Sequence, residues 1–123
     1  MPIRGFRDLE VYQEGLALVP SIYAIANDLP SSEQYGLSDQ MRRAAVSVVA
    51  NIAEGYGRYG FQDRAQFCIR ARGSLNETLD QIYVALDEGY IDSDIFERLY
   101  EQGRRVEKVL NGYISHLRRK SQG

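Results

Sequence analysis

Four stretches of helical periodicity, separated by breaks rich in proline and glycine, predict an all-α chain folded as an antiparallel up-and-down four-helix bundle. Apolar side chains recur every three or four residues over about 8–29, 38–59, 62–88 and 93–119, and no stretch alternates in the manner of a half-buried strand. The four helices are of similar length, roughly 30–40 Å at 1.5 Å per residue, and their short connections place neighbours antiparallel. A chain of 123 residues suits one domain spanning 1–123.

The first helix begins near Asp8, a residue able to cap it, with Glu10 favouring the positive end of its dipole. Leu9, Tyr12, Gln13, Leu16, Val19, Tyr23 and Ala26 form the expected inward stripe. Pro20 removes the hydrogen bond to the Leu16 carbonyl and predicts a kink, but the periodicity continues to Leu29, so one bent helix is expected up to Pro30. Residues 31–36 read as a loop with Gly36 as its turn residue. Ser38 is the expected N-cap of the second helix, assisted by Asp39.

In the second helix Gln40, Arg43, Ser47, Asn51, Glu54 and Arg58 fall on one narrow polar face. Apart from Asp39 and Arg42, the remainder is apolar or small: Met41, Ala44, Ala45, Val46, Val48, Val49, Ala50, Ile52 and Ala53. A helix apolar nearly all round is normally covered on most sides. A bundle of this size is expected to hide about half of it, which predicts that other copies of the chain cover the rest. Gly55-Tyr56-Gly57-Arg58-Tyr59-Gly60 matches G-x-G-x-x-G, yet a helix precedes it where the dinucleotide fingerprint needs a strand. These glycines are expected to end the helix and let backbones approach.

The third helix opens at Phe61 or Gln62, with Ala65, Cys68, Arg72, Leu75, Leu79, Ile82 and Leu86 on one face. Arg72 on that face calls for a carboxylate, with Glu54 the candidate. Gly73, costing ~1 kcal/mol in a helix interior, predicts tight packing at that point. Asp92 or Ser93 caps the fourth helix, whose core face is Ile95, Leu99, Val106, Leu110, Tyr113 and Leu117. Asp94 with Arg98 and Glu101 with Arg105 stand four apart, acid first, in the stabilising order.

Hydrophobic residues at 44% and charged residues at 26% place the chain among globular rather than disordered proteins. No apolar run suits a membrane span, and MPIRGFRDLE lacks the apolar core of an export signal. The single Cys68 has no partner for an internal disulfide and reads as a core residue, so a cytoplasmic setting is expected. Net charge is −2, but it is segregated into blocks: −4 over 1–41, +4 over 42–72, −7 over 76–101 and +5 from 102 onward. Such blocks fit salt-bridged faces within or between subunits, or a basic surface for RNA.

Arg42, Arg43, Arg58, Arg64 and Arg70 cluster in sequence around the second turn, with Tyr56, Tyr59 and Phe61 among them. Guanidinium forks match phosphate oxygens, and exposed rings stack on unpaired bases, so these residues are the candidate nucleic-acid contacts. Asn51 and Glu54 admit two readings: a polar site flanked by Arg43 and Arg58, or a packing network in which Glu54 pairs with Arg43 or Arg72. His116 is the only histidine, and no Glu-x-x-His pair exists, so no catalytic or metal centre and no cofactor are expected.

FRDLEVYQ near the start, QMRRAAVSVVANIAEGYGR at 40–58 and GSLNE at 73–77 resemble a four-helix-bundle family. It is named for proteins encoded in intervening sequences of bacterial 23S rRNA genes and is sometimes labelled ribosomal protein S23-like. The resemblance runs from Phe6 to about Leu117, and its most specific residues are Gln40, Arg43, Ser47, Asn51, Glu54 and Gly55, with Arg72, Gly73 and Glu77 beside them. Pro20 departs from the usual pattern of the first helix. The resemblance implies an up-down bundle assembled as a ring, commonly a homopentamer. Two functions follow as expectations: a non-enzymatic ring that contacts RNA or an RNA-bound protein, or a structural scaffold without nucleic-acid contact.

Overall fold

The computed structural model describes residues 4–123, so Met1, Pro2 and Ile3, and the part of the export-signal reading and of the 1–123 domain that rests on them, lie outside the described residues. Four helices follow in order: α1 Glu10–Asp28, α2 Leu37–Tyr56, α3 Phe61–Asp87 and α4 Ser93–Gln122. Short 3-10 turns occupy Phe6–Asp8 and Ser31–Glu33. Consecutive helices pack side by side and α1 closes onto α4, which is the up-and-down four-helix bundle the periodicity predicts. No strand occurs among the described residues, so the glycine run at 55–60 has no βαβ setting.

Several helix ends differ from expectation, α4 among them, which runs to Gln122 past the expected 119. Asp8 sits in the 3-10 turn and accepts the Arg4 backbone N–H at 2.9 Å, leaving Leu9 at the α1 N-cap without a side-chain cap. Ser38 lies inside α2 and is buried; Gly36 takes the N-cap, and Glu33 Oε1 accepts the Leu37 N–H at 3.3 Å. The second helix stops at Tyr56, short of the expected 59, because the chain turns at Gly57 and leaves the turn through the extended Gly60. The α4 cap follows expectation, with Asp92 Oδ1 accepting the Ile95 N–H at 2.8 Å. Gly89 closes α3 at φ +75°, a left-handed conformation open to glycine, while the Tyr90 N–H reaches the Ala85 carbonyl at 2.9 Å.

Pro20 sits on the exposed side of an unbroken α1. The inward stripe of α1 is Val11, Tyr12, Gly15, Leu18, Ile22 and Ala26. Leu16 and Tyr23, expected inside, are 36% and 37% exposed, and Gln13 is exposed as well. A helix this apolar carries two stripes of the same period, and Gly15 decides between them. Its absent side chain lets α2 approach, since a Cβ there would stand 3.1 Å from Val49 Cγ1. On α3 the buried position is Ala71, with Arg72 and Leu86 half-buried. On α4 Phe96 and Ile114 replace Ile95 and Tyr113, which are half-buried. Cys68 is in the core, where burial pushes its thiol up to about 11.

One chain covers more of α2 than its composition suggested. Met41, Ala44, Ala45, Val48, Val49 and Ile52 are all buried between α1 and α3. Ala53 is half-buried, and only Val46 and Ala50 of the nine apolar or small residues are exposed. What stays open lies on the outer side of the α1–α2 seam, where Leu16, Tyr23 and Val46 are exposed large hydrophobic side chains.

Candidate nucleic-acid interface

The antiparallel topology converts the charge blocks of the sequence into two poles. One half of the bundle holds residues 4–18, 47–74 and 108–123, with ten arginines and lysines against five carboxylates. The other half, 19–46 and 75–107, holds five against twelve. The turn between α2 and α3 lies at the basic pole, as does the C-terminal end of α4 with Arg118, Arg119 and Lys120.

Gly55 builds this turn. Its backbone packs so closely on α3 that a Cβ would stand 2.9 Å from Phe67 Cβ and 3.1 Å from the Arg64 carbonyl. The contact brings the end of α2 against the first turns of α3 and gathers Arg58, Arg64 and Arg70 around aromatic rings. Phe67 is the hub, with the Arg58 guanidinium 4.5 Å and that of Arg70 4.6 Å from its ring centroid. Arg64 lies 5.3 Å from the Tyr56 ring and 5.6 Å from Phe61, and its Nε donates to the Arg58 carbonyl at 2.7 Å. Tyr59 projects fully into solvent at the tip of the turn. Stacking on rings holds the guanidinium planes; one edge of Arg58 is taken by Glu54 at 2.8 Å and the Nε of Arg64 by the Arg58 carbonyl, and the other N–H groups face outward to acceptors.

Arg42 and Arg43 stand apart from this cluster. They lie near the start of α2, at its opposite end from the turn. Arg42 donates to Asn27 Oδ1 at 2.6 Å and covers the Tyr23 ring, while Arg43 pairs with Asp39 at 3.0 Å. Of the eight residues expected to contact nucleic acid, the fold thus unites Arg58, Arg64, Arg70, Tyr56, Tyr59 and Phe61 and separates two. Phe67, absent from the expected set, is legible afterwards from its spacing: it lies three residues before Arg70 and three after Arg64.

The polar face of α2 is a seam with α3 on the outer surface. Ser47 Oγ and Ser74 Oγ are 2.7 Å apart across the helices, and Asn51 Nδ2 donates to the Ser47 carbonyl at 2.9 Å. Gln40, Arg43, Glu54 and Arg58 are exposed. Glu54 pairs with Arg58 at 2.8 Å on its own helix, neither with Arg43 nor with Arg72, because Arg72 turns to α4 and donates to Asn111 Oδ1 at 3.0 Å. Glu77 accepts from Gln81 Nε2 at 3.3 Å. Gly73 is exposed with nothing within 4 Å of an added Cβ, so no packing within the chain accounts for it; the close approaches between helices occur at Gly15, Gly55 and Gly103. The expected pairs Asp94–Arg98 and Glu101–Arg105 are not within ion-pair distance among the described residues, where Arg104 meets Glu107 at 3.3 Å.

Beside the basic pole, α1 and α4 diverge into a groove of about 710 Å³ with Leu9, Val11, Val109 and Tyr113 on its walls. Glu10 and Glu14 edge it on α1, Arg105, Lys108 and His116 on α4. The Tyr113 phenol is raised by burial first, and also by Cys68 and Tyr56, with Arg64 drawing it the other way. No group of three or more potential metal ligands gathers among the described residues, and no helix there is long and apolar enough to cross a membrane.

Comparison with known proteins agrees with this architecture. A crystal structure of a protein of unknown function from the S23 ribosomal protein family of Bacteroides thetaiotaomicron VPI-5482 superposes with a TM-score of 0.79 at 22% identity, covering 85% of this chain and 95% of that one. At that identity the likeness establishes the fold alone. No curated protein matches the chain. The family model described as 23S rRNA-intervening sequence protein matches residues 7–112, which takes in α1 to α3 and most of α4. The chain therefore belongs to the 23S rRNA-intervening sequence protein family.

Proposed function

We propose that this chain is a non-enzymatic, homo-oligomeric binding protein of the cytoplasm, assembled as a pentameric ring, whose basic pole contacts RNA. The observation that carries the reading is the arginine–aromatic cluster at the α2–α3 turn, with three guanidinium groups held on Phe67, Tyr56 and Phe61 beside the open ring of Tyr59. Phosphate oxygens suit the guanidinium edges, and an unpaired base suits Tyr59. A ring would repeat the cluster once per subunit and raise avidity without new contacts. Electrophoretic shift of single-stranded and structured RNA at low salt tests the reading. Binding should weaken with salt and drop when Arg58 and Arg64 are both replaced by alanine. No shift of either RNA ends it.

A second reading, a scaffold that meets proteins only, is favoured by the exposed apolar side chains of Leu16, Tyr23 and Val46 along the α1–α2 seam. Light scattering separates assembly from binding: a stable 14 kDa particle with the fold intact would remove the ring from both readings.

A further inference from the structure

The acidic pole carries an aromatic cluster of its own, and its surroundings differ from those of every cluster described above. Tyr83 on α3 meets Phe96 and Tyr100 on α4, with centroids 4.7 and 5.2 Å away, and Phe96 stacks on Tyr100 at 5.3 Å. Tyr83 is 45% exposed, and Val84 beside it is 38% exposed. Elsewhere the rings of Tyr12, Tyr23, Tyr56, Phe61 and Phe67 each have an arginine over them. Among the described residues no cation lies over Tyr83, Phe96 or Tyr100.

Carboxylates are the charges at hand: Asp87 stands four residues, one helical turn, after Tyr83 on α3, and Glu97 follows Phe96 on α4. The Tyr83 phenol is raised above its ordinary value by the neighbouring Tyr100 first, then by desolvation, and further by Glu97 and Asp87. No arginine or lysine counters them. An exposed aromatic face and fixed negative charge both attract a cation, and a guanidinium suits them best because it stacks flat and still donates at its edge. The charge of the whole half-bundle acts in the same direction, with twelve carboxylates to five basic side chains.

We propose that the α3–α4 face at Tyr83, Val84 and Tyr100, backed by the buried Phe96, is a docking surface for an arginine-bearing segment of a partner protein, the guanidinium stacking on Tyr83 beside the carboxylates of Glu97 and Asp87. This surface lies at the pole opposite the arginine cluster, so it neither needs nor competes with RNA contact there. Charge complementarity selects the occupant: a basic peptide is drawn to this pole and a polyanion is repelled from it.

Fluorescence anisotropy with a labelled Gly-Arg-Gly-Arg-Gly-Arg-Gly peptide tests the proposal on the full chain. The same peptide with citrulline at each arginine serves as the neutral isostere. The arginine peptide should bind and the citrulline peptide should not. Tyr83→Leu, which keeps the apolar contact and removes the π face, should weaken binding by about tenfold. The pair Glu97→Gln and Asp87→Asn should do the same, while Glu10→Gln with Glu14→Gln at the far pole, an equal change in net charge, should leave it unchanged. Circular dichroism of each variant establishes that the helices persist. Equal binding by Tyr83→Leu and wild type, or an equal loss from the far-pole pair, would overturn the proposal in favour of diffuse attraction. Self-association abolished both by Tyr83→Leu and by alanine at Arg118, Arg119 and Lys120 would overturn it too, making the occupant a second copy of this chain.

Discussion

Gly55 and Phe67 meet across the α2–α3 seam with no room between them for a methyl group: a Cβ on Gly55 would come 2.9 Å from Phe67 Cβ. The obstacle includes the Arg64 backbone carbonyl at 3.1 Å, which cannot rotate away. Gly55→Ala therefore trades a helix-propensity gain of up to ~1 kcal/mol against an overpacking cost of about 1–3 kcal/mol. The net effect should be destabilising, with the start of α3 displaced, read as a lower urea midpoint at unchanged m-value.

Gly73→Ala should act in the opposite sense. Its added Cβ meets nothing within 4 Å, so the propensity gain of roughly 0.5–1 kcal/mol stands alone. Chemical denaturation of the dissociated chain should show the gain. Loss of an oligomer in the same variant, seen by sedimentation, would mean that a second subunit packs directly on that bare stretch of α3.

The buried thiol makes stability fall with alkaline pH. Burial raises the folded-state value of Cys68 from 9.0 to about 11, so the native state holds this proton more tightly than the unfolded chain does. Its contribution is complete below pH 9 and is lost as pH rises from 9 towards 11. That difference in proton affinity amounts to at most about 2–3 kcal/mol. Cys68→Ala should flatten that part of the curve while costing some packing at every pH. Thiol-reagent labelling at pH 8 should be slow in buffer and fast in denaturant.

The gross plan is legible in the sequence because each signal for it is local. Pro30, the glycines after Tyr56 and Gly89 mark the breaks, and Asp92 announces the start of α4 by capping it. The choice of face on α1 is not local. Leu16 is as apolar as Leu18 and Tyr23 continues its stripe at helical spacing, while the deciding residue, Gly15, contributes by having no side chain. Pairing is hidden for a related reason. Glu54 could reach several arginines by spacing, and only the rotation of α3 about its axis sends Arg72 to Asn111 and leaves Arg58 for Glu54. Phe67 escaped notice as a hub because a single phenylalanine on a helix reads as core, whereas it packs at the surface beneath two guanidinium groups.

Asp92 also tests how far α4 depends on its first turn. Its carboxylate accepts the Ile95 N–H at 2.8 Å, satisfying one of the donors a helix start leaves open. Asp92→Ala should cost about 1 kcal/mol. Asp92→Asn, which keeps the acceptor and drops the charge, should recover most of it. Equal losses in thermal denaturation would show that the dipole interaction outweighs the hydrogen bond.

Separation of the arginines into two groups gives the sharpest test of the basic pole. Arg58, Arg64 and Arg70 share the α2–α3 turn, whereas Arg42 is tied to Asn27 and Arg43 to Asp39 near the other end of α2. Each arginine that meets a phosphate releases a counterion, so its removal should lower the slope of log K against log salt by about 0.7 for a single strand. Alanine at Arg58, Arg64 and Arg70 together should lower the slope by roughly 2, and alanine at Arg42 and Arg43 should leave it unchanged. Tyr59→Ala should leave the slope alone and weaken binding by about 1–3 kcal/mol, because stacking releases no ions. Equal slope changes from the two arginine groups would mean that RNA, if bound, follows the length of α2 and not the turn.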